Sequence, residues 1–363
     1  MSRRWFPSAT IARYVARLFL WRTAGFLVGL VGILLTLDLL GESGRILAVP
    51  GNGEAELWRY ALLRAPQLVA LFLPFSVLLA ALLTFLTLNQ HGETVIFRAT
   101  GLSAHQILGP MVLAGLVVAG LNFLFNELVL VRVRAEFDRW KAAGYAPIPP
   151  DRQAQAVWVR SGTDLILAGS VDGTGLATRL SDVTVFVRAE GRLARVIRAA
   201  QATPGPGGWR LHQVRLLDVA TGRERRQEVL ELRSRAGPEQ FTTREVRPET
   251  TPFWRLWPAI RALKAAGRPT DELEAGLHHK ISGPLSSALM PLLAAVAGFG
   301  LARSGRLFLR AVVGLAMGFA FFVADNFAMA MAGFGNLPPA LAAWAPLLLF
   351  LFIGETVLLR SEE

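Results

Sequence analysis

Residues 65–92 read APQLVALFLPFSVLLAALLTFLTLNQHG, without a single Asp, Glu, Lys or Arg. A helix rises about 1.5 Å per residue, and about 20 apolar residues cross the hydrocarbon layer of a bilayer. A stretch this long and this free of charge reads as a spanning helix. Residues 99–126 and 281–302 are equally uncharged. Residues 23–37 form a shorter run, extended by Leu18, Phe19, Leu20 and Trp21 before it and by Leu39 and Leu40 after Asp38. Residues 311–324 and 326–354 are parted only by Asp325, and a turn-like break follows at Gly333-Phe334-Gly335-Asn336-Leu337-Pro338-Pro339. Six spans are expected, at about 15–40, 62–88, 105–129, 281–302, 307–331 and 339–359.

Composition agrees. The chain of 363 residues is 53% hydrophobic and only 18% charged, with a mean hydropathy of +0.41. A soluble globular chain is about 25% charged, so disorder, fibrous structure and an ordinary soluble enzyme all fit poorly. There is no cysteine, which excludes disulfides, thiolate zinc sites, iron–sulfur ligation and a cysteine nucleophile. The net charge of +11 raises nucleic acid as a partner. Arginines spread through strands and span flanks match membrane topology and lipid headgroups better, and no nucleic acid is expected.

Residues 131–280 differ in kind. They hold 25 of the 38 basic and 17 of the 27 acidic residues. Val157-Trp158-Val159-Arg160, Val183-Thr184-Val185-Phe186-Val187-Arg188, Trp209-Arg210-Leu211-His212-Gln213-Val214 and Glu228-Val229-Leu230-Glu231-Leu232 alternate with period two between Gly, Asp and Pro clusters. That pattern predicts strands in an antiparallel sandwich or roll. The return is helical: Thr251-Pro252 offers a cap followed by proline at the first helical position, Gly267 and Pro269 end that segment, and Asp271-Glu272 opens the next. The expected organisation is an α-helical integral membrane protein. Spans one to three fill 1–130, with a cytoplasmic helix near 89–101. An all-β domain covers 131–250, a helical return 251–280, and spans four to six 281–363.

Topology follows from the basic residues in short flanks. Arg3, Arg4, Arg13, Arg17, Arg22, Arg98, Arg303, Arg306, Arg310 and Arg360 fall on one side, and Arg45, Arg59 and Arg64 on the other. Ten against three puts both termini in the cytoplasm and the β domain outside. The first apolar segment is too long for a cleaved signal peptide and lacks a convincing small-residue cleavage site.

Catalytic motifs are missing: the sequence has no Walker A lysine motif, HExxH, GxSxG or dinucleotide fingerprint. His278 and His279 are adjacent, point to different sides of a helix, and read as interfacial histidines. No catalytic or metal-binding set is expected. Asp164, Asp172 and Asp182 are spaced like turn residues with no histidine nearby, which leaves a membrane-bound lipid-modifying enzyme as a weak alternative. Polar groups inside spans are costly and often functional. Asp38 and Asp325 either cap and pair locally or face a polar cavity at the outer leaflet. Glu355, near the inner end of the sixth span, reads as a local acid. Arg59 and Arg64, entering the second span from outside, either snorkel to phosphate or hold an anionic ligand bidentately.

The loop after the second span is Asn89-Gln90-His91-Gly92-Glu93-Thr94-Val95-Ile96-Phe97-Arg98-Ala99-Thr100-Gly101. Glu93, Ile96, Phe97 and Thr100 share a helical face. A short amphipathic cytoplasmic helix of this kind either docks into a groove on a soluble partner or lies flat on the membrane. The run Glu93–Gly101 resembles the E-L-V-x-x-x-A-x-G motif of the LptF/LptG permease family. So do Asn126-Glu127-Leu128-Val129, Gly335-Asn336-Leu337-Pro338-Pro339 and Ala342-Ala343-Trp344-Ala345-Pro346. The layout of three spans, a β domain and three spans covers the whole chain. Within the family, Leu37–Glu42, Gly208–Leu211 and Phe322–Asn326 are more similar to the LptG branch than to LptF.

The resemblance implies a permease subunit that extracts lipopolysaccharide from the inner membrane. Its partners are LptF, an LptB dimer that hydrolyses ATP, LptC and, through the bridge, LptA; this chain binds no cofactor itself. It implies a periplasmic jellyroll-like β domain between spans three and four. It also implies coupling through Glu93, Ile96, Phe97, Arg98 and Gly101, and lateral gates at spans one and five. One departure stands out. Family members often carry lysines near Leu35, Gly41 and Glu42, and this chain has none there. Either lipid phosphate falls to Arg45, Arg59 or Arg64, or the lipid carries different charged groups; Asp38 and Asp325 are further lipid-binding candidates. An LptF-type subunit is the nearest alternative. An ABC permease of the lipoprotein-release or adhesion-signalling type is a further alternative, though such permeases usually have four spans rather than six.

Overall fold

The computed structural model describes residues 8–147, 157–162, 164–172, 177–189, 192–205, 207–219, 221–234, 236–238, 246–265, 268–299 and 307–360. The chain divides into two compact units, one from residues 1–146 and 247–363, the other from 147–246.

The first unit is helical. Its elements are α1 (Ala9–Leu47), α2 (Glu54–Gln90), α3 (Glu93–Ala99), α4 (Ala104–Phe125), a π-helical turn (Asn126–Leu130), α5 (Val131–Ala142), α6 (Phe253–Ala265), α7 (Asp271–Phe299), α8 (Leu307–Gly333) and α9 (Pro339–Arg360). Local chemistry sets the ends. Ser8 caps α1 by accepting from the Ile11 N–H at 3.4 Å. Ser103 and Gln106 form a reciprocal capping box at α4, at 3.2 and 3.0 Å. The Glu56 carboxylate accepts from the Gly53 N–H at 2.8 Å where α2 begins.

Five helices among the described residues are long and apolar enough to cross a membrane: Ala9–Leu47, Glu54–Gln90, Ala104–Ala142, Ala311–Gly333 and Pro339–Arg360. The expected fourth span falls on α7, which is not among them. α7 is the central helix, packed against α2, α4, α8 and α9. Lipid provides no hydrophobic drive for helices to associate, so close packing through small residues must supply it. A Cβ on Gly115 of α4 would lie 2.9 Å from the Ser287 carbonyl oxygen, and one on Gly354 of α9 would lie 2.9 Å from Leu292. Around these approaches Phe19, Val77, Leu78, Phe85, Met111, Leu293, Phe321 and Phe350 form the core.

The third rod departs from expectation. Helix continues through the π turn to Ala142, past the 130/131 boundary where the sequence reading begins the β domain. Val131, Phe137 and Trp140 are buried, and α5 packs against α2. The alternating VRVRAEFDRW segment is therefore an amphipathic helix with charges outward. At the return, α6 starts at Phe253, one residue after Pro252, with the Pro252 carbonyl accepting from Leu256 N–H at 2.9 Å. Gly267, Arg303 and Arg306 lie outside the described residues.

The second unit is a six-stranded antiparallel sheet: β1 (Val157–Ser161), β2 (Asp164–Asp172), β3 (Arg179–Ala189), β4 (Arg192–Gly205), β5 (Gly208–Asp218) and β6 (Glu224–Arg233), in that spatial order. The four strands expected from sequence fall on β1, β3, β5 and β6. Among the described residues there is a single sheet rather than the facing pair of a sandwich, because every strand hydrogen-bonds to its sequence neighbour. One face gathers Val159, Ile166, Val183, Val185, Ile197, Leu211 and Val214 into a core. The Trp209 indole N–H donates to the Ala236 carbonyl at 2.7 Å. Edge strand β6 is charged and exposed along most of its length, a common protection against strand-to-strand aggregation.

Candidate coupling helix and polar rim

Two glycines in the left-handed region bracket α3. Gly92 has φ +72° and Gly101 has φ +84°, values that a side chain would strain. The Gly101 and Leu102 N–H groups donate to the carbonyls of Arg98 (2.9 Å) and Phe97 (3.1 Å), closing the helix in a glycine cap. The bundle sets the phase of this short helix. Thr94 is buried, and Phe97 packs on the main core of the helical unit. Val95 and Ile96 face outward at 64% and 60% exposure. Of the expected face, Ile96 is therefore available to a partner and Phe97 is turned inward; Val95 was not foreseen. Glu93 accepts from the Tyr14 hydroxyl at 3.1 Å, and Arg98 is exposed. Just beyond, His105 meets Glu355 of α9 at 2.8 Å.

At the other end of the α1–α2 hairpin the structure brings together Asp38, Arg45, Arg59 and Arg64. The Asp38 carboxylate accepts from Arg64 Nε at 2.7 Å and from the Tyr60 hydroxyl at 2.8 Å, and Arg64 also donates to Gln67 at 2.8 Å. Arg59 pairs with Glu136 of α5 at 2.9 Å and lies 4.9 Å from the centre of the Trp140 ring. Lys141 and Arg45 reach Glu42 at 3.2 and 3.5 Å. Four cations thus meet three carboxylates. Arg45 has a 75% exposed side chain and is the least neutralised of the three arginines expected to hold phosphate. Beneath them Ile46, Tyr60, Leu63, Phe137, Trp140 and Tyr145 form a small core. Burial and the nearby Glu42 carboxylate push the Tyr145 phenol up to about 12.

Asp325 does not join this cluster. Its carboxylate lies 3.7 Å from His279 Nε2 of α7. The two candidate acids are held by different partners.

The strongest polar feature was missed from sequence. Glu127, in the π turn, is 2% exposed. It accepts from Lys280 Nζ and from the Phe253 N–H, both at 2.5 Å. A signal was present: Glu127 is the first charge after the uncharged run 99–126, and Lys280 is the last before 281–302. Opposite charges bordering two apolar runs at the same end are natural partners. Among the described residues, no set of three or more His, Asp or Glu side chains is placed to hold a metal ion.

The chain matches the family described as lipopolysaccharide export system permease LptF/LptG over residues 13–360. Its relatives include the lipopolysaccharide export system permease protein LptG of Escherichia coli strain K12, 25% identical over 98% of this chain and 99% of the relative. The protein of the same name from Haemophilus influenzae is 24% identical over the same shares. With nearly its whole length matched, the chain belongs to the LptF/LptG family of lipopolysaccharide export permeases.

Proposed function

We propose that this chain is the LptG-type permease subunit of the transporter that lifts lipopolysaccharide out of the inner membrane, paired with LptF and driven by an LptB dimer that hydrolyses ATP. The observation that carries this reading is the family match over residues 13–360. In this proposal the bundle crosses the membrane six times, α7 being the fourth span, shielded from lipid by its neighbours. Both termini face the cytoplasm. The meander sheet is the periplasmic module, which hands the lipid to LptC and, through the bridge, to LptA.

Helix α3 is the coupling element. Val95 and Ile96 offer an apolar knob of the kind that seats in a groove, while Phe97 and the Tyr14–Glu93 contact transmit its movement to the bundle. At the opposite end Arg45 engages lipid phosphate. Arg59 and Arg64, already paired, yield to phosphate only when their helices move apart from α5 and α1. Transport requires two states of one bundle with different lipid affinity, since a ligand that binds both equally shifts neither. ATP-driven closure below, relayed through α3, supplies the bias.

Purification of the tagged chain from its native membrane, followed by identification of co-purifying proteins and lipid, tests this. The expected companions are an LptF-type permease, a nucleotide-binding ATPase and lipopolysaccharide. A chain that purifies without an ATPase would end the proposal. Co-purification of an LptG in addition would reassign this chain to the LptF role.

A further inference from the structure

We propose that α6 is an interfacial anchor whose outward face, carrying Trp254, Trp257 and Arg261, rests in the headgroup layer of an anionic phospholipid bilayer. This rests on the chain spanning the membrane and not on its cargo or motor.

The first observation is the face itself. Leu256 and Ile260 are buried against the bundle. Trp254 and Trp257 point away, at 53% and 47% exposure. Arg261, one turn beyond Trp257, holds its guanidinium 5.3 Å from the centre of that ring. Two tryptophans open to water are unfavourable. At a membrane interface their amphipathic rings find both the apolar boundary and hydrogen-bonding headgroups.

The second observation is position. Glu127 and Lys280 border the uncharged runs 99–126 and 281–302, so their buried pair marks the boundary of the apolar layer. The Phe253 N–H donates to the same Glu127 carboxylate. That bond pins the first turn of α6, and with it Trp254 and Trp257, to the boundary plane.

The third is charge. Residues Phe253–Ala265 contain Arg255, Arg261 and Lys264 and no acid. Lys264 is taken by Glu274 at 2.9 Å. Arg255 and Arg261 meet no carboxylate among the described residues. A short helix with exposed tryptophans and unpaired arginines at the edge of a bilayer fits an anionic lipid surface.

The absence of native cysteine makes the test direct. Spin labels are placed in the full chain at Trp257→Cys, at Ala265→Cys, which keeps both tryptophans, and at the reference site Val229→Cys on β6. The chain is reconstituted in vesicles of phosphatidylethanolamine with phosphatidylglycerol, and in phosphatidylcholine alone. In the anionic vesicles the labels at 257 and 265 are expected to collide with oxygen several-fold more, and with a water-soluble nickel chelate several-fold less, than the label at 229. In phosphatidylcholine, or with Arg255→Gln and Arg261→Gln combined, they are expected to shift toward the nickel-accessible values. Water-like accessibility at both α6 sites in the anionic vesicles overturns the proposal. Shielding from both reagents also overturns it, by showing a protein-covered face. Equal depth in the two lipids, with no effect of the arginine substitutions, overturns the anionic preference.

Discussion

Lys280 and Glu127 form a buried ion pair between the central helix α7 and the π turn of the third rod, and the second carboxylate oxygen of Glu127 takes the first N–H of α6. A carboxylate this enclosed is tolerable only while both oxygens are satisfied. Removing one partner of a buried pair typically costs about 3–5 kcal/mol, whereas replacing both together costs far less. Lys280→Met and Glu127→Gln alone are therefore expected to lower the thermal midpoint of the detergent-solubilised protein clearly. The double variant should recover much of the loss, with a non-zero coupling in the double-mutant cycle. Simple additivity would mean that the two side chains act independently.

The exposure of α3 separates two kinds of substitution. Val95→Asp and Ile96→Asp change side chains that touch little of their own bundle. They are expected to abolish co-purification of the proposed ATPase partner and its stimulation while changing stability by no more than about 0.5 kcal/mol, as surface changes usually do. Phe97→Ala acts on the core side and, because Phe97 is only half-buried, is expected to cost clear stability but less than the about 3–5 kcal/mol of a fully buried phenylalanine. Glu93→Ala is expected to uncouple transport from ATP hydrolysis with the fold intact. If all four variants transported normally, α3 would have no role in coupling.

What sequence could and could not disclose follows from the range of the forces involved. Uncharged runs such as 65–92 are local, and so were the helices they announced. Strict alternation exposed β1, β3, β5 and β6. β4, RLARVIRAAQATPG, was missed because its Ala and Arg content favours helix and only pairing with β3 and β5 makes it a strand. α5 hid behind an alternating VRVR start, since its phase is set by contact with α2. Phe97 turned inward for the same reason: a helix as short as Glu93–Ala99 takes its orientation from the bundle it rests on. Arg59 and Arg64 were legible as rim cations, but their carboxylates, Glu136 and Asp38, lie 77 and 26 residues away. No spacing rule links them.

Those pairings set the expectation for the rim. Arg45 is largely exposed and Glu42 is its partner at only 3.5 Å, so Arg45→Ala should leave stability unchanged, as exposed pairs contribute about 0–1 kcal/mol. Photocrosslinking to lipopolysaccharide from a neighbouring position should fall. Arg64→Ala leaves Asp38 with only the Tyr60 hydroxyl, and both stability and crosslinking are expected to drop. Arg59 and Arg64 replaced together should give the largest crosslinking loss. Undiminished crosslinking in every variant would retire the rim as a phosphate site.

Acid sensitivity is expected where α6 joins α7. The Thr270 hydroxyl donates to Glu274 at 2.7 Å, Lys264 donates to it at 2.9 Å, and together they hold its carboxyl below the ordinary carboxylate range. A carboxyl whose folded-state pKa is depressed adds stability above its unfolded value and loses it as pH falls through the folded value. Above about pH 5, wild type should therefore be more stable than Glu274→Gln. The gap should close as pH drops from about 4.3, the usual glutamate value, toward the depressed one. Thermal midpoints of both proteins across that window decide the matter. Parallel curves would show that Glu274 titrates as it does in the unfolded chain, and that the Lys264–Glu274 contact does not tie the end of α6 to the start of α7.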